Sequence, residues 1–142
     1  MVLDTAPTGH SLLLMDATGA YHRQMVREFE GKAAARIVTP LMRLQDADYT
    51  KIILVTLPEA TPVSQAAALQ DDLRRAQIEP FAWVVNKSLL GTGTADPLLQ
   101  ARLDSEKKQM QRVAAHTRHA VLVVPWTAQP PIGPSALEAL LG

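Results

Sequence analysis

The chain has 142 residues, 47% of them hydrophobic, with 14 basic and 14 acidic side chains and no cysteine. That length suits one domain with one core, and the apolar content is too high for a disordered segment. Zero net charge argues against a nucleic-acid partner, and the lack of cysteine excludes disulfides and thiolate metal sites.

Taken in order, Val2-Leu3 reads as the end of a strand. Ser11–Asp16 starts a helix, with breaks at Gly19 and Gly31, and Pro40–Leu44 adds a further helical turn. Ile52–Leu57, Phe81–Val85 and Ala120–Val124 are apolar and rich in β-branched residues with little polar alternation. Strands of a parallel sheet buried on both faces have this composition. Between the first two, Thr61 is placed to cap a helix and Pro62 to occupy its first turn. Val63, Ala66, Leu69, Leu73 and Ala76 then recur every three or four residues, with Asp71, Asp72, Arg74 and Arg75 on the wet side.

Asp96-Pro97 opens a second helix with Leu99, Leu103, Met110 and Val113 on one stripe. Glu106, Lys107, Lys108 and Arg112 are expected on its solvent side. A short helix over Ser135–Leu141 follows Pro130-Pro131-Ile132-Gly133-Pro134. Strand alternating with helix is the pattern of right-handed βαβ units. The apolar runs are too short to span a membrane as a helix, and the first residues lack the features of a signal peptide. A soluble cytosolic protein without membrane insertion is the expectation.

Chemistry concentrates in two places. Asp4-Thr5-Ala6-Pro7-Thr8-Gly9-His10 follows an apolar strand end, the position at which α/β sheets bind ligands. An Asp there can hold the water shell of a magnesium ion, or it is an ordinary loop polar. Pro7 stiffens the loop and Gly9 permits unusual φ. Further on, Asn86 ends the strand run in Val84-Val85-Asn86-Lys87. Its carboxamide can pair with the N6 donor and N7 acceptor of adenine together, or it forms a turn. Gly91-Thr92-Gly93-Thr94 is a flexible loop and no phosphate-binding loop, since no Gly-Lys-Ser/Thr follows. Arg118, His116 and His119 complement a helix dipole more readily than they bind metal. Glu59 is either a solvated acid or a ligand for water or a cation.

The string DTAPTGH followed by SLLLMDATGAYHR closely resembles the signature of the arsenical pump-driving ATPases, a loop shared with ATPases that deliver tail-anchored membrane proteins. The resemblance continues collinearly through TPLMRLQDADYTKIILVTLPEATPVSQAAALQDDLRRAQIEPFAWVVNKSL to LVVPWTAQPPIG. It is to the C-terminal of that protein's two homologous halves. It implies an α/β fold, a P-loop NTPase-like (SIMIBI-type) parallel sheet flanked by helices, N-terminally truncated. Residues 1–142 would be a single partial nucleotide-binding domain.

The resemblance assigns Asp4 to the magnesium and water network, and Thr5, Pro7 and Gly9, with Ala6 and Thr8, to a switch loop. It makes His10 a ligand of arsenite or antimonite, which imidazole can be, although trivalent arsenic prefers thiolates. Asn86 falls on adenine recognition, and Pro125, Trp126 and Thr127 on the loop flanking the base, where Trp126 packs or stacks. Lys87 resembles the Asn-Lys pair of guanine-specific relatives, but no Asp follows two residues later, so adenine is expected.

The implied cofactors are ATP and Mg2+, with As(III) or Sb(III) as an allosteric ligand. The implied partners are the N-terminal half of the same ATPase or a second copy, and a membrane arsenite carrier that would hold the protein at the inner membrane. Without a phosphate-binding loop, the isolated chain is expected to be inactive. Two alternatives stand beside an ATPase part. One is a free-standing binding or regulatory module that dimerises or complements a P-loop-bearing partner. The other is a tail-anchored-protein-targeting relative, against which the scattered methionines count.

Overall fold

The structure, a computed structural model, describes Val2, Asp4, Val38 and residues 40–140. Three apolar runs form strands: β1 (Ile53–Thr56), β2 (Ala82–Ser88) and β3 (Ala120–Pro125). They make one parallel sheet in the order β1-β2-β3. Val55 pairs with Val84 and Val84 with Leu122, so these three residues share a face. Helices complete the described elements: α1 (Pro40–Gln45), α2 (Ala60–Arg75), α3 (Pro97–His116) and α4 (Pro134–Glu138). The chain divides into two units, Met1–Ile52 with Leu69–Glu79, and Ile53–Ala68 with Pro80–Gly142.

In the second unit the sequential strand order has a consequence for burial. Right-handed crossovers between neighbouring parallel strands place successive connecting helices on the same face of a sheet. Leu54, Thr56, Trp83 and Val85 alternate onto one face and are all buried. On the other face Ile53, Val55 and Leu122 are 49%, 63% and 55% exposed. The expectation that all three strands are buried on both faces therefore holds only for the centre of β2. Among the described residues nothing covers the second face of β1 and β3.

The helix α3 starts as its sequence indicates. Asp96 Oδ1 accepts from the N–H groups of Leu98 (2.8 Å) and Leu99 (3.1 Å), and Pro97 takes the first helical position. The start of α2 differs from expectation. It begins at Ala60, and Val63 N–H donates to the carbonyl of Glu59 at 3.1 Å. Thr61 thus lies inside the first turn and does not cap it. Val63, Ala66, Ala67, Gln70 and Leu73 are the buried positions of α2, while Leu69 and Ala76 are half-buried.

In the first unit, α2 ends without glycine. Gln77 has φ of 61°, its N–H donates to Arg74 O (2.9 Å), and Ile78 N–H donates to Leu73 O (2.9 Å). This is a Schellman motif, closed by an apolar pair, since Leu73 and Ile78 are both buried. Beyond it Glu79 grips Arg74 through two hydrogen bonds of 2.8 and 2.6 Å, which raise the guanidinium above its usual pKa. From α1, Gln45 Nε2 donates to Ala76 O at 2.9 Å.

Val2 and Asp4 lie in no strand, and Val2 is 97% exposed. The strand end expected at Val2-Leu3 is thus not formed at Val2, which has no ladder partner among the described residues. The helix expected from Ser11 and the breaks at Gly19 and Gly31 lie outside the described residues. The last helix, α4, starts one residue earlier than expected, after Gly133 at φ 84°, and stops at Glu138, short of the expected end at Leu141.

Candidate functional site at the carboxyl end of the sheet

Ligands of open α/β sheets bind beyond the carboxyl ends of the strands. At that end of the second unit, β2 does not run regularly. Val85 pairs with Val123 and Ser88 pairs with Pro125, so Asn86 and Lys87 together stand opposite Val124 alone. The extra residue makes a bulge, a feature that re-aims side chains and is uncommon between parallel strands. Lys87 carries it in the left-handed region, φ 58°, which costs a non-glycine residue about 1–2 kcal/mol. Asn86 Oδ1 accepts from Lys87 N–H at 2.9 Å and so steadies that conformation.

Asn86 is half-buried. Its oxygen retains one lone pair beyond the Lys87 bond, and among the described residues its Nδ2 makes no hydrogen bond. A carboxamide with one acceptor site and two donors available can take a base edge that offers a donor beside an acceptor. Trp126 follows the end of β3. Its main-chain N–H donates to Ser88 O at 2.7 Å, while the residue is 48% exposed and so is not packed into a core. Pro125 is exposed beside it.

Beneath the bulge lies a buried acid on α3, Glu106. Glu106 was expected on the wet side of α3, yet it is 1% exposed. Its carboxyl group accepts from Ser88 Oγ through one oxygen and from Leu89 N–H (3.0 Å) through the other. Ser88 Oγ in turn accepts from Leu90 N–H at 3.1 Å. No buried side-chain nitrogen or oxygen is left unpaired among the described residues. A signal for this was present in the spacing. Leu99, Leu103, Glu106, Met110 and Val113 follow one another by four, three, four and three residues, so Glu106 lies on the apolar stripe itself.

Asp4 is exposed and belongs to the first unit. Thr5, Pro7, Gly9 and His10 lie outside the described residues. Glu59 Oε1 pairs with Arg102 Nη2 at 2.8 Å, an exposed ion pair between the start of α2 and α3. The glycine-containing loop turns on Thr92, whose N–H (3.1 Å) and Oγ1 (2.8 Å) both donate to Leu89 O. Among the described residues no three His, Cys, Asp or Glu side chains gather to hold a metal ion, and this includes His116 and His119. Among them, too, no helix is long and apolar enough to cross a membrane.

The family model for the anion-transporting ATPases matches residues 19–141. An arsenical pump-driving ATPase of Escherichia coli is 48% identical over 142 residues, covering 100% of this chain and 24% of the relative. That of Acidiphilium multivorum is 48% identical over 141 residues, again covering 24% of the relative. The chain thus spans about a quarter of the length of these relatives. A parallel sheet with crossover helices, a family model covering most of the sequence and near-half identity along the whole of it agree: the chain belongs to the anion-transporting ATPase family.

Proposed function

We propose that this chain supplies the base-recognition end of the sheet in an ATP-hydrolysing protein that drives arsenite or antimonite extrusion through a membrane carrier. The observation that carries the base-recognition part is the bulge at Asn86–Lys87, which leaves a half-buried carboxamide with donor and acceptor capacity at the carboxyl end of the central strand. Adenine matches that capacity through its N6 donor and N7 acceptor. Trp126, half-exposed on the neighbouring strand end, is able to stack on the same ring.

Hydrolysis needs more than this. Phosphoryl transfer depends on a glycine-rich loop and a lysine to cradle the phosphates. No Gly-Lys-Ser/Thr occurs in these 142 residues. We therefore assign ATP and Mg2+ to a complete assembly, in which Asp4 would serve the magnesium water shell. Thr5, Pro7 and Gly9 would form the switch loop, and His10 would be a ligand for As(III) or Sb(III). The phosphate-binding residues would come from outside this chain, and its partner in the assembly would be the N-terminal half of the same ATPase or a second copy. Such an assembly would work in the cytoplasm, against the inner membrane through its carrier.

One observation favours the related reading of a module that complements a separate P-loop-bearing polypeptide. Ile53, Val55 and Leu122 form an apolar patch on the open sheet face, the kind of surface that marks an interaction site. Both readings share the adenine site.

Intrinsic fluorescence tests that site, because Trp83 is fully buried and Trp126 is half-exposed. Titration with AMP is expected to change the emission of the native chain at millimolar concentration and to leave Trp126→Phe unchanged. GMP is expected to act far more weakly. Equal responses to AMP and GMP, or no response to either, would refute the adenine assignment.

A further inference from the structure

The bulge that presents Asn86 is a costly piece of backbone, and something must hold it. Three contacts converge on the residue that ends it. Ser88 is fully buried; its Oγ donates to Glu106 and accepts from Leu90 N–H (3.1 Å), while its carbonyl accepts from Trp126 N–H (2.7 Å). Glu106 also takes Leu89 N–H at 3.0 Å. One carboxyl group, anchored in the middle of the twenty-residue helix α3, therefore fixes two successive residues at the end of β2.

A regular strand would not need this, because the ladder itself would set the positions of Asn86 and Lys87. Here the ladder is interrupted between Val85 and Ser88, so the two residues are fixed from their ends. On the upstream side stands the regular pairing of Val85 with Val123. On the downstream side stands Ser88, held by Glu106. The position of the Asn86 carboxamide, and the placement of the Trp126 main chain on Ser88 O, thus depend on a group that touches neither residue. A buried carboxyl group is an expensive choice for a helix face unless its oxygens are fully used. Both oxygens of Glu106 are used on this one segment.

We propose that Glu106 is a positioning residue for the base site. Through Ser88 it holds the β2 bulge so that Asn86 and Trp126 meet an adenine ring in a fixed relation. The proposal rests on the reading of Asn86 as the adenine-recognising residue. It adds a determinant of base selectivity lying on a different element from those that would touch the nucleotide.

The test uses the whole chain and compares Glu106→Met, which keeps volume and removes both acceptors, with Glu106→Gln. The glutamine can still accept from Leu89 N–H while donating to Ser88 Oγ, which leaves the Ser88 hydroxyl proton without its acceptor, so it should keep the geometry at some cost in stability. Two readouts are followed by nitrogen-15 NMR: ligand-free signals of the Asn86 side-chain amide and of the Lys87 and Trp126 amides, and the affinities for AMP and GMP. In Glu106→Met those signals move and AMP affinity falls about tenfold toward that for GMP, the loss expected when a buried network is opened. In Glu106→Gln the signals and the AMP preference stay close to native. If Glu106→Met does not fold, Ser88→Ala carries the same expectation, because it cuts the link at its other end.

Native signals and a native AMP preference in a folded Glu106→Met or Ser88→Ala would overturn the proposal. So would a general loss of stability with the Asn86 and Trp126 signals unmoved. Failure of the underlying reading looks different. In that case the native chain itself shows no AMP preference, whereas the ligand-free spectra of the variants still decide whether Glu106 holds the strand end.

Discussion

Trp126 donates its main-chain N–H to the carbonyl of Ser88 at 2.7 Å, one residue past the point where Ser88 pairs with Pro125. The ends of β2 and β3 are thereby fastened together beyond a break in their ladder. Since Ser88 is also the contact of Glu106, the link joins a central strand, an edge strand and the helix that connects them. Both candidate base-binding residues, Asn86 and Trp126, lie within two residues of that junction in sequence or by hydrogen bond.

Ser88→Ala should cost about 1–3 kcal/mol, because it leaves one oxygen of the buried Glu106 and the Leu90 N–H without their partner. Urea denaturation followed by circular dichroism measures this as a lower midpoint at unchanged slope. A change below about 0.5 kcal/mol, the size of an ordinary surface substitution, would contradict it.

Gln77→Gly should stabilise the chain by about 1 kcal/mol. Gln77 sits at φ 61° in the residue that closes α2, where a side chain costs about 1–2 kcal/mol relative to glycine. Part of that gain is offset by the greater freedom of glycine in the unfolded chain. Thermal unfolding reads the outcome, and a lower midpoint would show that the glutamine side chain contributes something the backbone geometry does not reveal.

The open sheet face gives an expectation about association. Leu122→Lys, at a position 55% exposed, should change stability by no more than about 0.5 kcal/mol while reducing self-association at high concentration. Analytical ultracentrifugation of the native chain and the variant compares them. A native chain that is monomeric throughout would remove the face as a self-association surface.

ATP hydrolysis by the chain alone should not rise above the magnesium-containing blank, since the residues that cradle phosphates are absent from its sequence. A phosphate-release assay with the purified chain checks this. A magnesium-dependent rate well above background would contradict this, since it requires a phosphate site within the chain.

Much of the sheet was legible in the sequence, because apolar β-branched runs with intervening three-to-four periodicity encode strand and helix directly. Asp96-Pro97 marked the start of α3 for the same reason: the cap is a local device. Three features were not legible in this way. The bulge after Val85 depends on pairing with β3, and nothing in Val84-Val85-Asn86-Lys87 announces it. The end of α2 uses Gln77 where glycine is the usual signal, so its turn left no mark. Glu106 was assigned to solvent by its charge, although its spacing placed it on the buried stripe. Its acceptors are satisfied by Ser88 and Leu89, eighteen and seventeen residues away, which periodicity cannot show. Asn86 stood out by its residue type at a strand end, whereas the reason it is presented there came from the register.

The most direct test of the account is the ratio of AMP to GMP affinity in the native chain and in Asn86→Ala, measured by titration under the same conditions. A two-point carboxamide–base pair is worth about 1–3 kcal/mol of discrimination. The native chain should therefore prefer AMP by about tenfold or more, and Asn86→Ala should bind the two nucleotides alike while unfolding at nearly the native midpoint. A native chain without preference, or an Asn86→Ala variant that keeps it, would contradict the assignment of this strand end to adenine.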